Sequence, residues 1–514
     1  MDAVQLELFS HRFAAVAGEM GELLRRTALS TNIKERMDFS CALLDGDGRL
    51  VVNAPHIPVH LGALGLCIRA VSTAVSLEPG DTVVTNHPAF GGSHLPDVTV
   101  ATPVWADDSD PRPLAWVANR AHHAEIGGIQ PGSVPARARR LVEEGVVIPP
   151  THLVRRDGPR WEEIERTLSA GPHASRSVAD NLADLHAALA ANRRGVAGVL
   201  DLTHTHGVET VRHAMTALHR RAADLMRAAL RRLPDETSRA VQRLDDGTPI
   251  AVRFTVEGDH ATIDLSGSGG VHPGNLNATP AIATSAVLYV LRLLVARPMP
   301  LNEGLLEPVK LVVPHGLFDP GFDAEPDRCP AVVGGNVETS QRLVDTLLEA
   351  LGLMAGSQGT MNNVIFGDRS FGFYETIGGG AGAGPGFDGA HAVHTHMTNT
   401  RLTDVEVMEH RFPVRVVRCS VRSGSGGRGR WSGGDGIVRE LEFLAPVELS
   451  LLSQHRVERP LGMEGGEDGA PGRQWVVRRD GSIVTLDGID TCHIEPGDRL
   501  VIETPGGGGW GPPP

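Results

Sequence analysis

Lysine is almost absent from this chain. Among 514 residues only Lys34 and Lys310 occur, and arginine supplies the remaining positive charge. Neither lysine lies in a GxxxxGKS or GxxxxGKT pattern, which excludes a phosphate-binding loop of that type. A catalytic lysine Schiff base is also not expected. If the reaction needs ATP, we expect another polypeptide to hold the nucleotide.

The chain also has few cysteines and no net positive charge. The five cysteines are scattered without a CxxC pair, a pattern that indicates neither a disulfide framework nor a cysteine-rich zinc site. This odd, dispersed set predicts reduced thiols and a cytoplasmic location. The net charge of −14 argues against a nucleic-acid partner.

The chain also lacks a long uninterrupted apolar run. Its N-terminus shows no basic-then-apolar signal pattern. The most apolar stretch, 278–296, is interrupted by Arg292 and contains Thr and Ser residues. We therefore predict a buried helix there rather than a membrane span, and no membrane partner.

The composition that is present is that of a globular protein. Hydrophobic residues make up 41% and charged residues 21%, and the length suffices for two or three domains. The pattern predicts a multi-lobed α+β fold. We divide it into a metal-site α+β region at 1–155, a helical region at 156–235, and a Gly-rich α+β region at 236–514 that ends in strands.

Hydrophobic periodicity places the elements inside these regions. We predict an amphipathic helix at 2–29, and a β-hairpin whose strands, 38–44 and 49–52, flank a Gly-rich turn. Asp180 and Asp184 are expected on a solvated helix face. The other predicted elements are helices at 161–168, 177–191, 207–233 and 343–353, strands at 82–85, 98–104, 114–118, 250–256 and 261–265, and a strand-rich region after residue 413.

One loop concentrates groups that can bind metal or transfer protons. The segment 86–97 carries His87, His94 and Asp97, and its Pro and Gly residues exclude a regular helix. It leads into the predicted strand at 98–104, so a rigid element would hold the loop. An alternative is a turn-rich loop whose histidines only cap backbone groups.

A second cluster strengthens the first. The predicted strand at 114–118 runs into Arg120-Ala121-His122-His123-Ala124-Glu125. In extended backbone the rings of His122 and His123 point to opposite faces, so only one reaches a shared site. Two neighbouring strand-to-loop units with His and carboxylate groups fit one divalent metal site. The alternative is a satisfied polar cluster, since the spacing matches no short zinc signature.

These motifs also carry a family resemblance. The segments 91–97, 120–128 and 131–133 resemble the hydantoinase B/5-oxoprolinase family. That family includes the B subunits of ATP-dependent N-methylhydantoinases and lactamases, the C-terminal half of 5-oxoprolinase, and subunits of acetone and acetophenone carboxylases. The match continues through most of the chain and includes the segments 392–400 and 504–511.

The resemblance implies a set of site residues. Asp38, His94, Asp97 and His122 are the implied ligands of a divalent metal (Zn, Mn or Fe), and His123 is a further catalytic candidate. Relatives usually have Asp at the position of Glu125, which leaves only a supporting role for that residue. His56 and His60 are expected to shape the site without binding metal.

The resemblance also implies a function. The chain would be the hydrolytic, metal-bearing subunit of an ATP-dependent cyclic amidase that opens hydantoin, 5-oxoproline or lactam rings. An A-type partner subunit would bind ATP in a hetero-oligomer. Two alternatives stay open, a subunit of an acetone- or acetophenone-type ATP-dependent carboxylase and a non-enzymatic scaffold.

A glycine- and histidine-bearing segment, 378–400, has little apolar side chain to hold it in place. Ordering such backbone costs roughly 1–2 kcal/mol per residue, so we expect something to contact it. We predict that it lies near the interface with the A-type subunit. His394 and His396 alternate, which predicts that both face one side of a strand.

Overall fold

The computed structural model describes residues 1–53, 57–323 and 325–514. Its first sheet has seven strands in the order β2-β1-β5-β4-β3-β6-β7, and every neighbouring pair is antiparallel. The predicted hairpin is confirmed as β1 and β2. The strands are β1 Phe39–Asp45, β2 Leu50–Asn53, β3 Thr82–Thr85, β4 Asp97–Val104, β5 Ala115–His122, β6 Thr151–Arg155 and β7 Gly158–Pro159.

Helices cover both faces of this sheet, and strands β1, β4 and β5 are therefore buried along their whole length. On one face lie α1 (Ala3–Thr27) and α5 (Val178–His206), whose apolar side chains join those of the sheet in one core. On the other face lies α3 (Ala63–Ala74). Because both faces of the sheet are covered, these strands carry apolar side chains on both faces and no exposed residue. The short helix α2 (Thr31–Lys34) leads into β1.

The helical region has the three predicted helices, α4 (Trp161–Leu168), α5 and α6 (Val208–Leu230). The predicted end of α5 at residue 191 is wrong, because the helix continues to His206. Gly195 and Gly198 lie in this extension and face α1. A Cβ on Gly195 would come within 2.4 Å of Met20 Sδ, so the glycines allow close helix packing.

Asp184 corrects a second expectation for this region. It does not lie on a solvated face, since only 2% of it is exposed. Its Oδ1 accepts hydrogen bonds from the backbone amides of Leu29 and Ser30 at 2.8 and 3.2 Å. A buried carboxylate therefore ties α5 to the segment that follows α1. The domain boundaries stay a prediction.

The second sheet has the strand order β11-β10-β9-β8. Its β9–β10 pair is the predicted hairpin around residues 258–259, whereas β8 was not predicted. The apolar stretch predicted as a buried helix is α7, which packs with α8 in the core over this sheet. The elements are β8 Thr237–Arg243, β9 Pro249–Glu257, β10 His260–Asp264, α7 Pro280–Val295, β11 Val309–Val312 and α8 Ser340–Ala350.

Among the residues described, none of the helices combines the length and apolar character that a membrane crossing requires. The rest of the chain forms two antiparallel sheets that share a core around Phe366, Phe373 and Phe443. Their orders are β13-β12-β16-β19 and β14-β15-β20-β17-β18. The elements are β12 Asn363–Gly367, β13 Gly372–Glu375, α9 Val405–Arg411, β14 Val414–Arg422, β15 Gly436–Phe443, β16 Val447–Leu452, β17 Arg473–Val477, β18 Ile483–Leu486, β19 Ile489–Ile494 and β20 Arg499–Glu503. The architecture is the predicted α+β fold.

Three glycine-rich segments, 378–384, 426–434 and 505–509, lie side by side. Their backbones hydrogen-bond to one another outside any strand, as in Gly380 N to Pro505 O and Gly507 N to Gly434 O. A Cβ on Gly380, Gly433 or Gly507 would lie 1.9–2.0 Å from a carbonyl oxygen of a neighbouring segment. We call this arrangement the glycine stack. Only glycine permits such close backbone approach.

The glycine stack changes the expectation for 378–400. Residues 378–384 are buried against the chain itself, so no partner is needed to hold them. The predicted strand around His394 and His396 is wrong, since these residues are irregular and His396 has a φ of +56°. Residues 385–388 are exposed and stay candidates for a partner contact.

Candidate metal centre

The site begins with the pairing of β4 and β5. In this antiparallel pair Asp97, the first residue of β4, lies opposite His122, the last residue of β5. The pairing therefore brings the two predicted motifs together through the sheet itself. His94 precedes β4 by one turn, in which the Asp97 amide donates to the His94 carbonyl at 3.1 Å.

The loop before β4 is held by buried backbone contacts. Asn86 donates from Nδ2 to the carbonyls of Leu95 and Val146 and accepts from the Ile148 amide. Gly91 has a φ of +78°, and a Cβ there would come within 2.5 Å of the Cys67 backbone. The Pro and Gly residues thus fix the loop, and His94 lies fully buried.

His94, Asp97 and His122 converge on one point. Asp97 Oδ2 is 3.1 Å from His94 Nδ1, and Asp97 Oδ1 is 3.4 Å from His122 Nδ1. One ligand atom from each residue lies within 4.8 Å of the others. The three side chains are at most 2% exposed.

The unpaired atoms of this cluster fit a metal ion. Among the residues that the structure describes, both nitrogens of His94, Nε2 of His122 and Oδ1 of Asp97 are buried without a hydrogen-bond partner. Unpaired buried polar atoms are costly, and native proteins usually satisfy them. Two imidazoles and a carboxylate are ligands that a divalent transition metal takes.

The protonation states agree with this donor set. Burial by itself raises the pKa of Asp97, but the charges of His94 and His60 and the contacts with His122 outweigh burial and hold that pKa well below its usual range. Burial lowers the pKa of His122 despite the neighbouring carboxylates. An ionised carboxylate and a neutral imidazole are the forms that ligate metals.

Two side chains around Asp97 were not assigned this contact from the sequence. Ser93 Oγ donates to Asp97 Oδ2 at 2.5 Å. His60 Nε2 lies 3.1 Å from the same oxygen, and its Nδ1 lies 3.1 Å from Ser40 Oγ. The sequence predicts a site-shaping role for His60, but it gives no separate role to Ser93, which lies inside the 91–97 motif. His56 lies outside the described residues.

Asp38 borders the cluster without belonging to its tightest part. Its Oδ2 is 4.0 Å from His122 Nδ1, and its carbonyl accepts the His122 amide at 3.0 Å. The preceding residue, Met37, has a φ of +57°, which turns the chain as it enters β1. Asp38 is thus 6% exposed and lies beside the three convergent residues.

His123 and Glu125 point away from the cluster. His123 Nδ1 accepts a hydrogen bond of 3.0 Å from Asn181 on α5. Glu125 accepts from the amides of Gly127 and Gly132 and pairs with Arg176 at 3.0 Å. The carboxylate of Glu125 therefore organises the turn after β5, and His122 alone of the two adjacent histidines faces Asp97.

A small cavity adjoins the cluster. Asp38, Asp97 and His122 line it, and the volume open to the centre of a water molecule is about 10 Å³. That is about the room that one water molecule needs. Tyr374 stacks on His122 with ring centroids 4.8 Å apart. Asn336 also lines this cavity, and its Oδ1 is buried and unpaired.

Tyr374 and Asn336 were missed by sequence reasoning. They come from β13 and from a π-helical turn at Gly335–Thr339, more than 200 positions after His122. No local pattern links such distant residues. The one sequence signal near Asn336 was the glycine-rich segment 334–342 before α8. The π-helical turn that the structure shows there is a feature frequent at functional sites.

The similarity to known proteins extends over almost the whole chain. A family profile described as Hydantoinase B/oxoprolinase matches residues 2–513. The 5-oxoprolinase 1 of Arabidopsis thaliana is 44% identical over 536 residues, which cover 99% of this chain and 42% of that protein. The chain spans about two fifths of the length of the first curated relatives it matches.

Two solved structures have a similar fold. The ATP-dependent caprolactamase from Pseudomonas jessenii is 26% identical with a TM-score of 0.88, and the match covers 99% of this chain and 91% of that one. An acetone carboxylase, in a nucleotide-free structure, is 16% identical with a TM-score of 0.87, covering 99% and 76%. The second likeness concerns the fold alone.

Proposed function

The chain belongs to the hydantoinase B/oxoprolinase family, and from this premise we propose that it is the metal-bearing, hydrolytic part of an ATP-dependent cyclic amidase. The observation that carries the proposal is the buried convergence of His94, Asp97 and His122 with unpaired ligand atoms. The proposed substrates are small cyclic amides such as hydantoins, 5-oxoproline or lactams. The matched 5-oxoprolinases and the caprolactamase support this class.

The proposed chemistry overcomes the low reactivity of an unstrained amide. Transfer of the terminal phosphoryl group of ATP to the carbonyl oxygen makes the carbon electrophilic. Water then adds to that carbon, and the ring C–N bond breaks as nitrogen takes a proton. The acyl phosphate that remains is hydrolysed to a carboxylate and phosphate.

His94, Asp97 and His122 would hold the metal, and we propose Asp38 as the fourth ligand because it borders the same cavity. A divalent ion held there would supply Lewis acidity. Ser93 and His60 fix the Asp97 carboxylate through their contacts with Oδ2. The metal is proposed to be Zn, Mn or Fe.

His123 is proposed to act on the site through the backbone. Its ring is fixed by Asn181, and it directly follows His122, the last residue of β5. Holding His123 on one side of the strand sets the direction of His122 on the other. Glu125 supports the same strand end through its contacts with Gly127, Gly132 and Arg176.

We propose that ATP is bound by an A-type partner and that the two assemble as a hetero-oligomer. The matched 5-oxoprolinases are more than twice as long as this chain, which leaves room for a second functional part. The exposed residues 385–388 are candidates for that interface. The scattered, unpaired cysteines favour a reducing compartment such as the cytosol.

A second candidate function is a carboxylase subunit of the acetone or acetophenone type, supported by the shared fold of the acetone carboxylase structure. The assay that discriminates uses the complex of this chain with its A-type partner and ATP. Ring opening across a panel of lactams and hydantoins supports the amidase. Carboxylation of a ketone without ring opening supports the carboxylase instead.

The metal assignment is tested by removing its ligands. We expect His94→Ala and Asp97→Asn each to abolish activity and to lower bound metal by at least tenfold, because each removes or neutralises one of three convergent ligands. Metal content per chain is measured by mass spectrometry, and circular dichroism checks the fold.

Matched controls are His410→Ala and Asp107→Asn, which change exposed residues outside the cluster; Asp107 follows the opposite end of β4 from Asp97. These two variants should keep wild-type metal and activity. Wild-type metal occupancy in both ligand variants would refute the site. A metal-free wild-type chain that keeps its fold and supports no reaction would favour the scaffold alternative.

A further inference from the structure

A second pocket lies across the end of β5 from the metal cluster. Its volume is about 230 Å³, and Asn181, the residue that fixes His123, lines it. Because His122 and His123 point to opposite sides, the pocket adjoins the candidate centre without being part of it. We call it the Asp184 pocket.

One side of the Asp184 pocket is negatively charged. Asp184 is 2% exposed, and its Oδ1 accepts two backbone amides. Its Oδ2 has no hydrogen-bond partner among the residues that the structure describes. Asp180 lies one turn earlier on α5 and lines the same pocket. The hydroxyl of Ser30, also in the lining, is buried and has no hydrogen-bond partner in the described ranges.

The two carboxylates favour a cation between them. Burial raises the pKa of Asp180, and the charge of Asp184 raises it further. A bound ammonium group would relieve this repulsion and supply donors to the free oxygen of Asp184. Glu125 contributes little net charge, since Arg176 pairs with it at 3.0 Å.

The other side of the pocket is positively charged. Arg411, the last residue of α9, lines the pocket and has no ion pair or hydrogen bond from its side chain among the described residues. Its charge lowers the pKa of Asp180 against the effects of burial and Asp184. Phe371 and Phe412 form an apolar part of the lining.

We propose that the Asp184 pocket binds a small zwitterion that carries an ammonium group and a carboxylate. The ammonium group lies between Asp180 and Asp184, and the carboxylate pairs with the guanidinium of Arg411. The hydrocarbon between the two charges lies on Phe371 and Phe412. A carboxylate and a guanidinium form strong, directional pairs, which makes Arg411 the specificity element.

Ring opening of a cyclic amide produces this combination of groups. That the physiological ligand is such a product rests on the proposed function. The binding proposal itself does not, because it uses neither the metal cluster nor ATP. Both α- and ω-amino acids share the chemistry, and they differ in the spacing of the two charges.

The test is isothermal titration calorimetry on the full chain without ATP or a partner. The probes are 4-aminobutyrate and L-glutamate, compared with butyrate and butylammonium, which each carry one charge. We expect saturable binding of at least one zwitterion and at least tenfold weaker binding of both single-charge compounds. The stronger of the two zwitterions identifies the charge spacing that the pocket accepts.

Variants place the binding in this pocket. Arg411→Gln and Asp180→Asn change exposed residues, so the fold should persist, and each should weaken binding at least tenfold. Arg415→Gln, on the exposed part of β14, and Asp388→Asn are matched controls that should bind normally. His94→Ala should also bind normally, which separates this proposal from the fate of the metal site.

Two results would overturn the proposal. One is the absence of saturable heat with both zwitterions. The other is zwitterion binding that Arg411→Gln and Asp180→Asn leave unchanged, or butylammonium binding as strong as that of the zwitterions. In either case the pocket would not recognise both charged groups of the ligand.

Discussion

Three histidines whose ring nitrogens are buried differ in what those nitrogens contact. Both nitrogens of His60 have hydrogen-bond partners, whereas those of His94 and His394 have none within the described part of the chain. His94 lies 3.1 Å from a carboxylate oxygen. Burial lowers the pKa of His394 to about 4, and the nearby charge of Arg36 adds to that effect. An unpaired imidazole beside a carboxylate is therefore a candidate ligand, and His394 is a neutral, partly buried ring.

The first prediction concerns the support of Asp97. Ser93→Ala removes the hydroxyl that donates to Asp97 Oδ2, and loss of such a support lowers metal affinity by roughly 10–100-fold. We expect that loss with the fold intact. Competition with a chelator measures the affinity, and Ser72→Ala, at an exposed position of α3, is the control. Equal affinities of Ser93→Ala and the wild type would remove Ser93 from the site.

The second prediction concerns Glu144, a buried carboxyl outside the cluster. Its Oε1 accepts the amides of Val332 and Val333, both at 2.8 Å. Burial raises its pKa from 4.5 to about 8. Between these values the folded chain keeps a proton that the unfolded chain has released. The free energy of unfolding therefore falls as pH rises, by about 1.4 kcal/mol per pH unit for this group.

Glu144→Gln cannot ionise and keeps an oxygen for the two amides. We expect its stability to fall less steeply than that of the wild type between about pH 5 and about pH 8. Urea unfolding at several pH values measures the difference. Glu257→Gln, at an exposed position, should follow the wild type. Parallel curves for Glu144→Gln and the wild type would contradict the raised pKa.

The sequence identified the residues of the cluster because they lie in two short motifs at strand ends. Asp97 and His122 meet through a single strand pair, so adjacent strands sufficed to predict their proximity. Tyr374 and Asn336 reach the cavity from distant segments, and only the tertiary fold brings them there. Asp184 was misjudged because its helical position says nothing about the loop that covers it.

At the scale of elements, periodicity predicted helices and strands well where one face is apolar. It ended α5 too early, since Gly195 and Gly198 interrupt the apolar pattern although they serve close contact with α1. It also predicted a strand around His394 from alternation alone. The glycine stack could not be predicted, because the hydrogen bonds between its segments join residues from 53 positions apart, as in Gly434 and Ala381, to 125 positions apart, as in Gly380 and Pro505.

The third prediction belongs to the glycine stack. Gly507→Ala would place a Cβ 1.9 Å from the Ala381 carbonyl oxygen, and backbone cannot move away as a side chain can. We expect a loss of roughly 3 kcal/mol of stability, at the upper end of overpacking effects. Gly270→Ala is the matched control, since nothing lies within 4 Å of its Cβ position. Equal thermal unfolding temperatures of the two variants would show that the glycine stack accommodates a Cβ without loss of stability.

At the scale of the whole molecule, the buried cluster and the lack of a phosphate-binding loop of the GxxxxGKS or GxxxxGKT type are the grounds for the proposal that a partner binds ATP. The chain has two lysines, of which Lys310 is exposed and Lys34 lies on the short helix α2. The family's ATP-dependent chemistry would then need a second functional part, as the length of the matched 5-oxoprolinases suggests.

The last prediction follows from this division. The purified chain alone should neither bind ATP stoichiometrically nor hydrolyse it, with or without added metal, because it lacks a phosphate-loop lysine. Calorimetry measures binding, and release of inorganic phosphate measures hydrolysis. Adding the A-type partner should produce ATP hydrolysis that depends on a cyclic amide, and His94→Ala in this chain should abolish ring opening. Stoichiometric ATP binding by the isolated chain would contradict the assignment of the nucleotide to the partner while leaving the metal cluster untouched.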